Sequence, residues 1–227
     1  MIGFYDYTLI LTLGSLISAM IGITEAIGGR FREAVLCMII SGICDGLDGK
    51  VARTKKDRSE DEKSFGVQLD SMCDMIAFCA LPAVLCYMLS TKSVLSIIAV
   101  CYYGCCSVIR LSYYNMKEIN RMAMEVPSEK VYYGLPITSS AIIVPTLVIC
   151  EAITPETILP AGVILLLFVT GTCFILNFQI RRPGRLAGIS IAAFFVILFA
   201  VTVFCTDYRE TGYGILGYIL HCIREFP

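Results

Sequence analysis

The sequence predicts an all-α integral membrane protein. Mean hydropathy is +0.76, and 57% of residues are hydrophobic against 16% charged. The apolar residues form runs near the ~20 residues that a spanning helix needs. Unbroken runs of that length exclude a barrel, whose strands alternate, and in lipid a helix satisfies its own backbone groups.

The N-terminal text MIGFYDYTLILTLGSL has none of the Lys or Arg of a cleavable signal peptide, so a retained helix is expected over 7–28. Further spans are expected at 34–53, 65–90, 93–114, 133–152, 157–178 and 186–206. The shorter run 211–223 is the candidate for an eighth. With no internal repeat, low-complexity tract or soluble stretch, residues 1–227 read as a single transmembrane domain.

Thirteen of the 18 Lys and Arg residues fall in the connections after the second, fourth and sixth spans. Basic residues stay on the cytoplasmic side, so the N-terminus and these three connections are expected there. A net charge of −1 leaves no global basic field for nucleic acid. Most of the 12 cysteines lie inside apolar runs, as in CYYGCC, where a thiol acts as a small hydrophobe. With no CxxC pair and one histidine, His221, a zinc site is not expected.

Against this background, four aspartates at helix ends stand out. Residues three and four apart share a helix face, so Asp45, Asp48, Gly49 and Ala52 line one side of the second span. Gly66, Asp70 and Asp74 line one side of the third. If the two pack as antiparallel neighbours, four carboxylates converge near the membrane surface, an arrangement that requires compensating cations. Oxygen-only donors suit hard divalent ions, and two Mg²⁺ or Mn²⁺ would neutralise the cluster. Such a pair clamps a phosphate or diphosphate. Gly49, Ala52 and Gly66 leave room for a ligand, and the planar fork of Arg53 suits a phosphate. The run KKDRSEDEK, 55–63, reads as a solvated charged loop.

These residues resemble the signature of the CDP-alcohol phosphotransferases, D-x2-D-G-x2-A-R followed by G-x3-D-x3-D. Here it stands as Asp45, Asp48, Gly49, Ala52, Arg53, then Gly66, Asp70, Asp74. One departure is visible: twelve residues separate Arg53 from Gly66, where the family has about eight. Within the family, FGVQLDSMCDMIAFCALPAV, VIRLSYYN and YYGLPITSSA resemble segments of the members that make phosphatidylserine. The likeness covers roughly residues 7–180. It implies a six-helix core, commonly dimeric, with one or two further C-terminal helices here over about 186–223. It also implies two divalent metals on Asp45, Asp48, Asp70 and Asp74, and a CDP site lined by Gly49, Ala52, Arg53 and Gly66. Asp74 matches the family's general base, and the implied substrates are CDP-diacylglycerol and L-serine. A sister enzyme using glycerol phosphate or inositol shares the same signature. A cation transporter is less favoured, because transporter sites lie at the midplane.

Arg110 admits two readings, a ligand for serine's carboxylate or a substrate phosphate, and an anchor that snorkels to headgroups. GLP at 134–136 reads as a helix entry, and Tyr113, Tyr114, Tyr132 and Tyr133 as an interfacial aromatic belt. RRPGR at 181–185 follows from topology alone, and His221 has no assigned role.

Overall fold

The computed structural model describes residues 3–55, 57–124, 131–151, 159–181 and 185–205. Its described residues form seven helices. They are α1 (Leu9–Ile27), α2 (Phe31–Ala52), α3 (Glu60–Leu89), α4 (Val94–Ala123), α5 (Ser140–Glu151), α6 (Leu159–Ile175) and α7 (Arg185–Cys205). The candidate eighth span and His221 lie outside the described residues.

The apolar side chains are arranged for lipid. Ile10, Ile17, Leu165 and Val196 are each more than 60% exposed, while the interior is shared between apolar residues and hydroxyls. In lipid, association depends on close packing and interhelical hydrogen bonds rather than on hydrophobic burial. The α1–α2 pair shows both. A Cβ on Gly22 would stand 2.9 Å from Cys37 Cβ, so the glycine permits close approach. Ser15 and Ser41 meet with hydroxyl oxygens 2.7 Å apart, and Ser41 also donates to the Ser15 carbonyl at 2.8 Å. On the far side of α2, Gly42 admits Ala141 of α5 and Phe195 of α7. Helices α4 and α6 pack through Tyr102 against Phe168 and Tyr103 against Phe174, with ring centres 5.4 and 5.5 Å apart.

One long rod, α3, carries a π turn at Met75–Ala80. A π turn inserts a residue, and Pro82, four residues after Phe78, has no N–H to give the Phe78 carbonyl. The Phe78 carbonyl accepts from Tyr103 Oη at 2.7 Å and Ser140 Oγ at 3.1 Å. Tyr103 is fully buried, so the freed carbonyl is satisfied inside the bundle, as a buried polar group requires.

Most boundaries follow the apolar runs, and three differ. Helix α3 begins at Glu60, five residues earlier than expected, so the last four residues of the charged run 55–63 are helical rather than loop. The cause is a capping box. Glu62 N–H donates to Ser59 Oγ at 3.2 Å, and Ser59 N–H donates to Glu62 Oε2 at 2.9 Å. Helix α4 continues to Ala123, well past 114, because NMKEINRMA extends it beyond the apolar stretch. The span expected from 133 starts as a 3₁₀ turn at Ile137. Residues Val131–Tyr133 instead pair antiparallel with Gln179–Arg181, placing Tyr132 opposite Ile180. Gly134 turns the chain at φ +70°, where a Cβ would meet the Leu176 carbonyl oxygen at 2.8 Å. Pro136 precedes the 3₁₀ turn, as expected of GLP.

The short ladder puts the connections after α4 and α6 on one side. Tyr7 Oη lies 2.9 Å from Thr54 Oγ1, bringing the N-terminus to the connection after α2. The described cysteines are free thiols, several of them buried.

Candidate active site

Helix periodicity delivers the aspartates to one place. Oxygens of Asp45, Asp70 and Asp74 all lie within 4.8 Å of one another. Asp45 comes from α2, and Asp70 and Asp74 from α3, so the cluster bridges the two helices. Asp48 is 9% exposed, and its Oδ2 accepts from Thr12 Oγ1 of α1 at 3.1 Å. The two acidic stripes therefore face each other, as the sequence predicts, with α1 supplying a hydroxyl beneath them.

Helix α2 packs more against the π turn and the segment beyond it than against Glu60–Asp74. Close backbone contact would leave no space for a ligand between the carboxylates. The divergence opens a cavity of about 760 Å³ at the basic end of the bundle. Asp48 and Asp70 form its floor, with Gly49, Ala52 and Arg53 on one wall and Gly66 on another. A Cβ on Gly49 would meet nothing within 4 Å, so that backbone faces open space. The expected nucleotide-lining residues thus come together beside the carboxylates.

Charge around the cavity is organised by the segment before α1. Asp6 accepts from the Thr8 N–H at 2.8 Å and from the Thr8 hydroxyl, and Lys55 Nζ lies 2.9 Å from its other oxygen. The Thr8 hydroxyl first, and then Lys55, hold the Asp6 carboxyl down to about 2. The same Asp6 contact, with Glu62, raises Lys55 above its ordinary value.

Oxygen donors at this spacing fit a hard divalent cation. Carboxylates this close repel one another unless a cation or a proton lies between them.

Arg110 stands apart. It is 6% exposed, donates to the Tyr133 carbonyl at 2.6 Å, and has its guanidinium carbon 4.1 Å from the Tyr114 ring centre. It borders a separate cavity of about 300 Å³ with Phe174 and Asn177. Here it braces the turn before α5 rather than joining the aspartates or reaching outward as a headgroup anchor. Tyr114 takes part in the same brace, accepting from the Tyr133 N–H at 2.6 Å. Arg58 is the residue that sequence reasoning passed over. It lines the aspartate cavity, and a Cβ on Gly66 would stand 3.0 Å from its Nη2. Its position within a charged run masked it.

The family model described as CDP-alcohol phosphatidyltransferase matches residues 8–205. A CDP-diacylglycerol–serine O-phosphatidyltransferase of Mycobacterium leprae is 28% identical over 221 residues, 93% of this chain and 71% of that protein. One of the same name from Helicobacter pylori is 35% identical over 83 residues, 37% of this chain and 33% of that protein. An archaetidylserine synthase of Methanothermobacter thermautotrophicus is 30% identical over 126 residues, 55% of this chain and 50% of that protein.

Proposed function

The chain belongs to the CDP-alcohol phosphatidyltransferase family, and from that premise we propose that it transfers the phosphatidyl group of CDP-diacylglycerol to L-serine, releasing CMP. One observation carries the reading: oxygens of Asp45, Asp70 and Asp74 within 4.8 Å of one another, beside a cavity that Gly49, Ala52, Arg53 and Gly66 border. The choice of serine rests on the names of the relatives that match.

In this reading Asp45, Asp48, Asp70 and Asp74 would hold two divalent cations, Mg²⁺ or Mn²⁺, which would supply positive charge to offset the diphosphate and the departing CMP. The chain's own residues do the rest. Gly49 and Ala52 leave the cavity wall low enough for the nucleotide, Gly66 lines it beneath the Arg58 side chain, and Arg53 pairs with phosphate oxygens. Asp74 takes the proton from the serine hydroxyl as its oxygen attacks phosphorus and the bond to CMP breaks. Thr12 fixes the Asp48 carboxylate from behind. The divergence of α2 from α3 lets a two-chain lipid enter from the bilayer while serine arrives from water.

The site faces the cytoplasm, an orientation supported by the gathering of basic residues at that end. The enzyme acts as a homodimeric single domain. The test is CMP release from CDP-diacylglycerol by membranes carrying the protein with Mn²⁺ or Mg²⁺. Release that depends on L-serine supports the assignment; release only with glycerol phosphate or inositol replaces the acceptor. No release with any alcohol rejects the transfer.

A further inference from the structure

Five cations line the aspartate cavity: Arg53, Lys55, Arg58, Lys63 and Arg121. Three are neutralised within the protein. Lys55 lies 2.9 Å from Asp6 and 3.2 Å from Glu62, Lys63 lies 2.7 Å from Glu60, and Arg121 pairs with Glu118. Among the described residues, Arg53 and Arg58 have no carboxylate partner.

Arg53 is exposed at the end of α2. Arg58 is different, because its Nε is buried and has no hydrogen-bond partner. A buried guanidinium N–H without an acceptor is unfavourable unless something else fills the vacancy. The fork rests against α3 where Gly66 carries no side chain, since a Cβ there would stand 3.0 Å from Nη2. Any larger residue at 66 would push the fork aside. Arg58 thus stands on the same cavity as Arg53, against the Gly66 backbone.

We infer that Arg58 is a phosphate-binding residue of this cavity, its guanidinium fork seated on Gly66 and donating to the diphosphate of the nucleotide lipid. The inference rests on the CDP-diacylglycerol reading. Charge selects phosphate over the base. Cytosine is neutral and offers an arginine no counter-charge, whereas a diphosphate is acidic and matches the planar fork. Two arginines lining one cavity complement such an anion where the remaining cavity cations are already paired.

The experiment uses the full chain in detergent with Mn²⁺ and measures CDP binding by calorimetry at low and high salt. Arg58→Ala is expected to weaken CDP binding by about tenfold, as for loss of a charge-assisted hydrogen bond, and to flatten its salt dependence. Arg58→Lys is expected to recover part of the affinity, and KM for L-serine is expected to stay unchanged. Wild-type CDP affinity in Arg58→Ala overturns the inference while leaving the transferase reading intact. Absence of CDP binding by the wild type overturns both. Should Arg58→Ala fail to fold, Arg58→Gln, which keeps the stem and removes the charge, decides by the same criterion.

Discussion

Thr12 of α1 donates a 3.1 Å hydrogen bond to Oδ2 of Asp48 of α2. The first helix, which carries none of the four aspartates, therefore sets the orientation of one of them. Removing the hydroxyl in Thr12→Val costs about 1 kcal/mol of positioning. The expected outcome is a several-fold rise in the Mn²⁺ concentration giving half-maximal CMP release, with KM for L-serine little changed. An unaltered metal requirement would show that Asp48 is fixed by other means.

Asp74→Asn keeps the side-chain shape and removes the base. Turnover is expected to fall at least about a hundredfold, within the range for loss of general-base catalysis, while CDP binding and the melting temperature persist. CMP release under single-turnover conditions, with calorimetry in parallel, separates the two. Full activity in the variant would remove Asp74 from the role.

Ser59 and Glu62 close the capping box at the start of α3. Ser59→Ala is expected to destabilise the chain by about 1 kcal/mol, read as a lower melting temperature in detergent. Helix α3 carries Asp70 and Asp74, so the same variant should lose activity at a lower temperature than the wild type.

Asp6 supplies a pH dependence outside the membrane. Its carboxyl is held down at about 2 from an ordinary 3.8, by the Thr8 hydroxyl and then by Lys55. A depressed carboxylate contributes stability that is present above its unfolded value and is lost as pH falls through the folded one. Asp6→Asn is therefore expected to melt below the wild type at neutral pH. The gap should narrow between pH 3.8 and about 2. A gap that stays constant down to pH 2 would place the effect elsewhere than in the ionised carboxylate.

Tyr103→Phe removes one of the two donors to the Phe78 carbonyl, and Ser140 Oγ remains at 3.1 Å. The expected loss is about 1 kcal/mol, again as a shift in melting temperature. Combining it with Ser140→Ala leaves the carbonyl without a donor and should cost more than the two single losses together.

The facing of the acidic stripes was legible from spacing alone, because intervals of three and four fix which side chains share a helix face. The divergence of α2 from Glu60–Asp74 was not, since it depends on tertiary packing in which α1 contacts α2, Glu60–Asp74 and the π turn. The π turn has no marker in MIAFCA, a run of ordinary apolar residues. The early start of α3 was encoded in Ser59-x-x-Glu62, a cap lying within a run whose composition otherwise fits a solvated loop. Arg110 illustrates the limit of residue type as evidence. An arginine at a helix end suits an anion, and here the carbonyls of Tyr133 and Gly134 take its two Nη donors, leaving only its buried Nε without a partner.

The inserted residue at Met75–Ala80 uncouples two halves of one rod. With about 100° of rotation per residue in a regular helix, the face presented before the turn need not be the face packed after it. Selection can alter the buried side of Leu81–Leu89 without re-aiming Asp70 and Asp74. By the same logic, deleting one residue within 75–80 would restore an uninterrupted screw and swing the carboxylates out of their shared focus while leaving the composition of the span almost unchanged.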